Sequence, residues 1–300
     1  MQAMSRRFAS QPPALDVRDA EQVYGHAMDA LAQDDVPYLV GGGVALACYT
    51  GLRRATKDLD LFLRPRDVDH AIESLASAGF ATERTHPHWL GKARAGGYCV
   101  DLIFNSGNGM CEVDDRWFDH APKADVLGRS AHVVPAEELI WTKLFIMERE
   151  RYDGADVAHL LRETAERLDW QRLIERVGPN WRVLLSHLVL FGYVYPAERA
   201  KVPGWLFDDL LLRLQLEREA AAPRQRLCRG TLLSRQEYLQ DVQAENYRDA
   251  RTTRISSMTR DDIAAWTEAI ERDRRGGVPS PEAQSPSKRR PRAGGKPASR

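Results

Sequence analysis

Apolar and polar positions along the chain change period more than once. Over 17–33 apolar side chains recur at helical spacing, with Val23, Ala27 and Leu31 on one face, which predicts a helix. Tyr38, Leu39 and Val40 form a short apolar run that stops at Gly41, Gly42 and Gly43, as a buried strand does; 44–49 then read as a helix that the glycines open and Gly51 ends. From 58 to 63 the period falls to two. Leu59, Leu61 and Leu63 alternate with Asp58, Asp60 and Phe62, so a strand with one buried face is predicted. Helical spacing returns over 66–79, through Val68, Ile72, Leu75 and Ala76, with Gly79 as its C-cap. Residues 80–94 suggest two short strands around Pro87. Residues 98–104 read as a further strand, with Val100, Leu102 and Phe104 on one face and Asp101 on the other, and 105–109 are a loop.

After about residue 135 the pattern is helical throughout, with helices predicted over 135–151, 155–168, 170–177, 181–193, 205–220, 234–250 and 260–273. There is no internal repeat. Strands early and helices late predict an α+β fold: a small mixed β-sheet core with helices packed on it over 15–134, then an all-helical domain over 135–275. From 276 to 300 the chain is rich in Pro, Ser, Gly and basic residues, with no apolar residue larger than Val278. Such a tail cannot bury a core and is expected to be disordered. Its Lys288, Arg289, Arg290 and Arg292 can attract RNA or DNA phosphates, or can simply stay solvated.

Composition narrows the classes. A chain of 300 residues that is 43% hydrophobic can bury a sizeable core, and its 43 Lys+Arg balance 43 Asp+Glu, so net charge points to neither nucleic acid nor membrane. Four cysteines, Cys48, Cys99, Cys111 and Cys228, form no CxxC pair; Cys48 and Cys99 lie in apolar segments and read as buried thiols, which suits a reducing compartment. No apolar run approaches the roughly 18 residues of a membrane span, and the first residues lack the apolar stretch of a signal peptide. A soluble cytoplasmic protein with no membrane partner is expected.

Candidate chemistry gathers around the glycines. Glycines that open a helix expose backbone N–H groups that bind phosphate. Asp58 and Asp60, at i and i+2 of a strand, share a face, and Asp101 leaves a second strand opposite its apolar residues. If the two strands are neighbours, three carboxylates can hold divalent cations, with Mg²⁺ suited to such hard oxygen ligands. Asp101 is then the group placed to take the proton of an attacking hydroxyl. Lys143 shares a helix face with Leu139, Ile140 and Met147, where an ammonium needs water or an anion: it either contacts a triphosphate or snorkels at the domain edge. Arg54 either faces phosphates or sits on the surface. Asp153 and Asp156 either belong to the site or start the helix that follows them. His86-Pro87-His88 reads as a turn rather than a metal site, and there is no GxSxG, Walker or zinc spacing.

The run Gly42-Gly43-Val44-Ala45-Leu46, followed by Arg54-Ala55-Thr56-Lys57-Asp58-Leu59-Asp60-Leu61, resembles the nucleotidyltransferase superfamily with the DNA polymerase β-like fold, over roughly 20–162. It looks most like the minimal nucleotidyltransferase and AbiEii-type toxin branch, whose closing motif is similar to the stretch with Arg149, Arg151, Asp153 and Asp156. The resemblance implies that Gly42 and Gly43 position the triphosphate, that Asp58, Asp60 and Asp101 bind Mg²⁺ or Mn²⁺, and that Lys143 contacts phosphate. It implies a nucleoside triphosphate substrate and transfer of a nucleoside monophosphate to a hydroxyl on tRNA, a protein or a small molecule such as an aminoglycoside. A toxin acting on tRNA would add an antitoxin protein as partner, and a non-catalytic nucleotide-binding protein would retain the fold without the reaction. Gly43 stands where the superfamily commonly has serine.

Overall fold

The computed structural model describes residues 20–53 and 58–276, the last six of these as backbone only. Arg54 and the basic residues after 276 lie outside the described residues. The elements run α1 (Ala20–Gln33), β1 (Leu39–Val40), α2 (Gly42–Thr50), β2 (Asp58–Phe62), α3 (Val68–Ser77), β3 (Ala81–His86), β4 (Leu90–Ala95), β5 (Tyr98–Ile103), α4 (Asp115–Asp119), β6 (Lys123–Val126), β7 (Arg129–His132) and α5 (Ala136–Leu144). There follow α6 (Gly154–Thr164), α7 (Trp170–Val177), α8 (Trp181–Val194), α9 (Gly204–Glu219), β8 (Leu227–Cys228), α10 (Leu239–Gln243), β9 (Arg248–Asp249) and α11 (Arg260–Gly276).

The central sheet has five strands in the order β1-β2-β5-β4-β3. Only β2 and β5 run parallel; the other pairings are antiparallel, so the sheet is mixed, as the alternation of strands and helices predicts. Strand periodicity then sorts side chains by face. Leu59 and Leu61 of β2, Val100 and Leu102 of β5 and Ala93 of β4 are fully buried on one face, where α3 packs against the sheet and α1 packs on α3. The opposite face carries a polar row across three strands, because Asp60 pairs with Asp101 and Asp101 with Lys92.

One apolar cluster runs from Val23 to Leu210 with no seam at residue 135, because α2, from the sheet half, packs on both α5 and α6. Phe62 and Trp117 help to join the halves. Their rings stack at 5.5 Å, and Trp117 also meets Trp141 of α5 at 6.2 Å. A buried charge network adds to this. Glu137 of α5 holds Arg172 of α7, while Arg176 donates to Glu138 at 3.1 Å and to Asp114 at 2.5 and 2.8 Å.

Several elements differ from their sequence expectation, among them α4 and the parallel β8–β9 pair, which lies in the half expected to be all-helical. The helix predicted over 135–151 ends at Leu144; Met147 bridges Tyr152 and its N–H goes to the Leu233 carbonyl at 3.0 Å, so 145–153 is a turn instead. The helix predicted over 234–250 shrinks to α10, because Ser234 Oγ takes the N–H groups of Gln236 and Glu237 and Asn246 adopts a left-handed conformation (φ 57°). The β6–β7 hairpin was not anticipated, and it turns at Leu127 and Gly128. Cys48, expected buried, is exposed, Cys99 is half-buried, and all four cysteines are free.

Trp117→Ala is expected to remove about 3–5 kcal/mol of stability, the usual cost of an aromatic cavity in a core. Urea unfolding monitored by far-UV circular dichroism measures it; a loss under 1 kcal/mol would mean that the two halves are not joined through this ring.

Candidate active site

Backbone geometry at the glycines builds the site. Gly41 N–H donates to the Asp60 carbonyl at 2.9 Å, which lays the end of β1 against β2. The chain then turns into α2 at Gly42, whose φ of +53° is one that L side chains rarely adopt. A Cβ at Gly42 would also collide with the Asp60 carboxylate, so the first turn of α2 and that carboxylate are in direct apposition. Gly43 differs: among the described residues, a Cβ there would meet nothing within 4 Å, so that space is open to them. The serine common at this position in the superfamily would fit without displacing protein atoms.

The parallel pairing of β2 and β5 puts Asp60 directly opposite Asp101 and Asp58 opposite Cys99, all on one face. The condition set by the sequence, that the two strands be neighbours, is met. The Asp60 carboxyl is raised to about 6, first by burial and then by repulsion from Asp101 and Asp58, with Arg151 and Lys143 opposing. Asp58, at the strand start, is exposed.

Lys92, on the strand beyond β5, donates to Asp101 Oδ1 at 2.7 Å, and the Cys99 thiol lies 3.2 Å from the same oxygen. Sequence reading missed Lys92; the only signal for it is the register of β4 on β5, which no local pattern carries. The fit to a metal is good in chemistry and partial in geometry. The acids are hard oxygen donors, and a cation would relieve the repulsion between Asp60 and Asp101. Yet among the described residues no three His, Cys, Asp or Glu side chains converge as a ready-made cluster, since Asp101 is turned to Lys92.

Lys143 is placed differently from a free phosphate contact. Its buried ammonium donates to Asp153 at 2.9 Å and Asp156 at 2.8 Å. A desolvated ammonium needs counter-charge, and the break after α5 returns the chain in time to supply it. Asp153 stands at the start of α6, but its carboxylate makes no capping bond. It binds Lys143 and Arg151 instead, and these cations hold it below the ordinary carboxylate range despite its burial. Arg151, at the exposed edge of this cluster, is drawn electrostatically to Asp60 as well. His86-Pro87-His88 is a turn, as expected: His88 bonds the Gly107 carbonyl at 3.2 Å and both rings pack on Trp266. A cavity of about 430 Å³ lies at the other end of α2, lined by Tyr49, Lys123, Glu137 and Arg172, and none of Asp58, Asp60 and Asp101 borders it.

The sequence profile of a family described as uncharacterised nucleotidyltransferases matches residues 20–187, which span the glycine turn, all three acids and the Lys143 cluster. The chain belongs to this nucleotidyltransferase family. The nucleotidyltransferase has structural likeness to the antibiotic-resistance factor ANT(2'')-Ia, with 14% identity over 59% of this chain and 93% of that one and a TM-score of 0.36. It is similar to the lincosamide adenylyltransferase LnuA, with 16% identity, 48% and 96% coverage and a TM-score of 0.35. It is also similar to JHP933 from Helicobacter pylori, with 13% identity, 68% and 97% coverage and a TM-score of 0.34. No curated protein sequence matches the nucleotidyltransferase. No described helix is long and apolar enough to cross a membrane.

Two outcomes test this geometry. Gly42→Ala is expected to lower the melting temperature sharply, and Gly43→Ala to leave it unchanged or slightly raised, since alanine stabilises a helix by about 0.5–1 kcal/mol over glycine where space allows. Equal effects at the two positions would contradict the apposition of Gly42 and Asp60. For Asp60, a carboxyl raised to about 6 in the fold, from an ordinary 3.8, favours folding while protonated. That contribution is present below the unfolded value and is lost as pH rises through about 6. In metal-free buffer Asp60→Asn should therefore melt higher than wild type at pH 8, with the difference closing by about pH 4; a constant difference across that range would refute the assignment.

Proposed function

We propose that this nucleotidyltransferase is metal-dependent and moves a nucleoside monophosphate from a nucleoside triphosphate to a hydroxyl acceptor. The observation that carries the reading is Asp60 opposite Asp101 on adjacent parallel strands, with the first turn of α2 against Asp60. Backbone N–H groups of Gly42 and Gly43 are the phosphate donors, the open space beside Gly43 admitting the triphosphate. Asp58, Asp60 and Asp101 are the ligands for Mg²⁺ or Mn²⁺, which when bound would neutralise charge developing on the phosphate oxygens. Asp101 accepts the proton of the incoming hydroxyl. The acceptor oxygen bonds to the α-phosphorus, the bond from that phosphorus to the oxygen bridging to the β-phosphate breaks, and pyrophosphate leaves. Arg151 is the exposed cation beside the acids, suited to the departing phosphates. Lys143 acts as part of a buried ion cluster that supplies positive field at Asp60.

The likeness to the AbiEii-type branch rests on Arg149, Arg151, Asp153 and Asp156, and the joining of Arg151, Asp153 and Asp156 with Lys143 in one cluster supports that placement. Within it the acceptor would be tRNA, and a toxin would have an antitoxin partner.

Incubation with Mg²⁺ and each α-labelled nucleoside triphosphate, in the presence of separate RNA, protein and metabolite fractions, should label one fraction. Asp58→Ala with Asp60→Ala should lower the rate by at least about 10³-fold, as expected when the groups holding a catalytic metal are removed. Calorimetry that detects neither metal nor nucleotide binding would refute the reading.

A further inference from the structure

Among the described residues, helices α8 and α9 expose most of the accessible large apolar side chains. On α8 these are Val189 and Tyr193, then Leu190 and Val194, each pair one turn apart; Tyr193 is 82% exposed. On α9, Trp205, Leu212 and Leu216 repeat at i, i+7 and i+11, which is a single stripe, each about half exposed. The core face of α9 is narrow: only Leu206 and Leu210 are buried. A helix apolar beyond the face that its own fold covers is ordinarily covered by something else.

We infer that this surface is where a second copy of the chain docks, the two α8–α9 pairs meeting across a twofold axis as a four-helix bundle. Area supports a partner of this size. At roughly 150 Å² per side chain, the low end of the aromatic range, the exposed fractions of these seven residues amount to on the order of 600 Å², at the top of the roughly 300–600 Å² of a monomer's largest patch and approaching the roughly 800 Å² of one side of a standard interface. Charge selects the partner. Residues 181–219 carry five basic and five acidic residues, and Arg182 pairs with Glu217 and Arg213 with Asp209 within the same copy. The surface thus presents no excess charge to attract an oppositely charged protein or nucleic acid, and none to repel its own image. A twofold contact requires a self-complementary patch, and two packed helices with apolar stripes form one. The surface is also coupled to the catalytic half, since His187 of α8 bonds the Leu144 carbonyl of α5 at 3.1 Å, one residue from Lys143.

Sedimentation equilibrium of the full chain decides it. The expected mass is twice the 33.9 kDa of one chain at micromolar concentration, and Tyr193→Glu and Leu212→Glu should each weaken association by at least about 100-fold. Far-UV circular dichroism should stay unchanged, because neither side chain is buried. A chain that stays monomeric to about 100 μM, well above the micromolar range of ordinary association, overturns the inference. So does a dimer indifferent to both substitutions, or a monomer that covers α8 and α9 only when a different protein or RNA is added.

Discussion

Asp60 and the first turn of α2 press against each other, and much of the molecule is arranged around that contact. A carboxylate half-buried between a helix start and two other acids is costly. It is kept there because Gly42 lacks a Cβ, because the Gly41 N–H holds the Asp60 carbonyl, and because Arg151 and Lys143 offset part of the repulsion. The same apposition puts the first turn of α2 beside a carboxylate, the arrangement on which the proposed transfer depends.

The cations near that contact are themselves anchored. Lys143 is buried and would be destabilising alone; Asp153 and Asp156 neutralise it and Arg151 completes the cluster. Lys92 does the same for Asp101 on the far side. Each acid of the polar row therefore has a neighbour of opposite charge, and the row is closer to electrical balance than three aspartates suggest. Farther back, Glu137, Glu138, Arg172 and Arg176 hold α5 to α7, so the helix that carries Lys143 is positioned by a second set of buried ion pairs.

Much of the sheet was legible because its signal is local. Alternation in β2 separated Asp58 and Asp60 from Leu59 and Leu61, and the same logic set Asp101 apart on β5. The helical half was less legible. Glu137 and Glu138 look like solvent-facing acids at a helix start, yet both are buried by partners about 35 residues away. The end of α5 and the shrinkage of α10 depend on backbone bonds to distant segments, Met147 to Leu233 and the Ser234 turn, against which local helix propensity loses.

By itself the sequence determined the mixed sheet, the helix-opening glycines and which side of each strand its acids occupy, because strand and helix periods are properties of neighbouring residues. Only the tertiary structure decided that Asp60 and Asp101 stand in register, that Lys92 and Cys99 hold Asp101, and that Lys143 joins Asp153 and Asp156 in one cluster. Those are pairings between segments, fixed by strand order and by the need of buried charge for counter-charge, and neither is written in any single stretch of the chain.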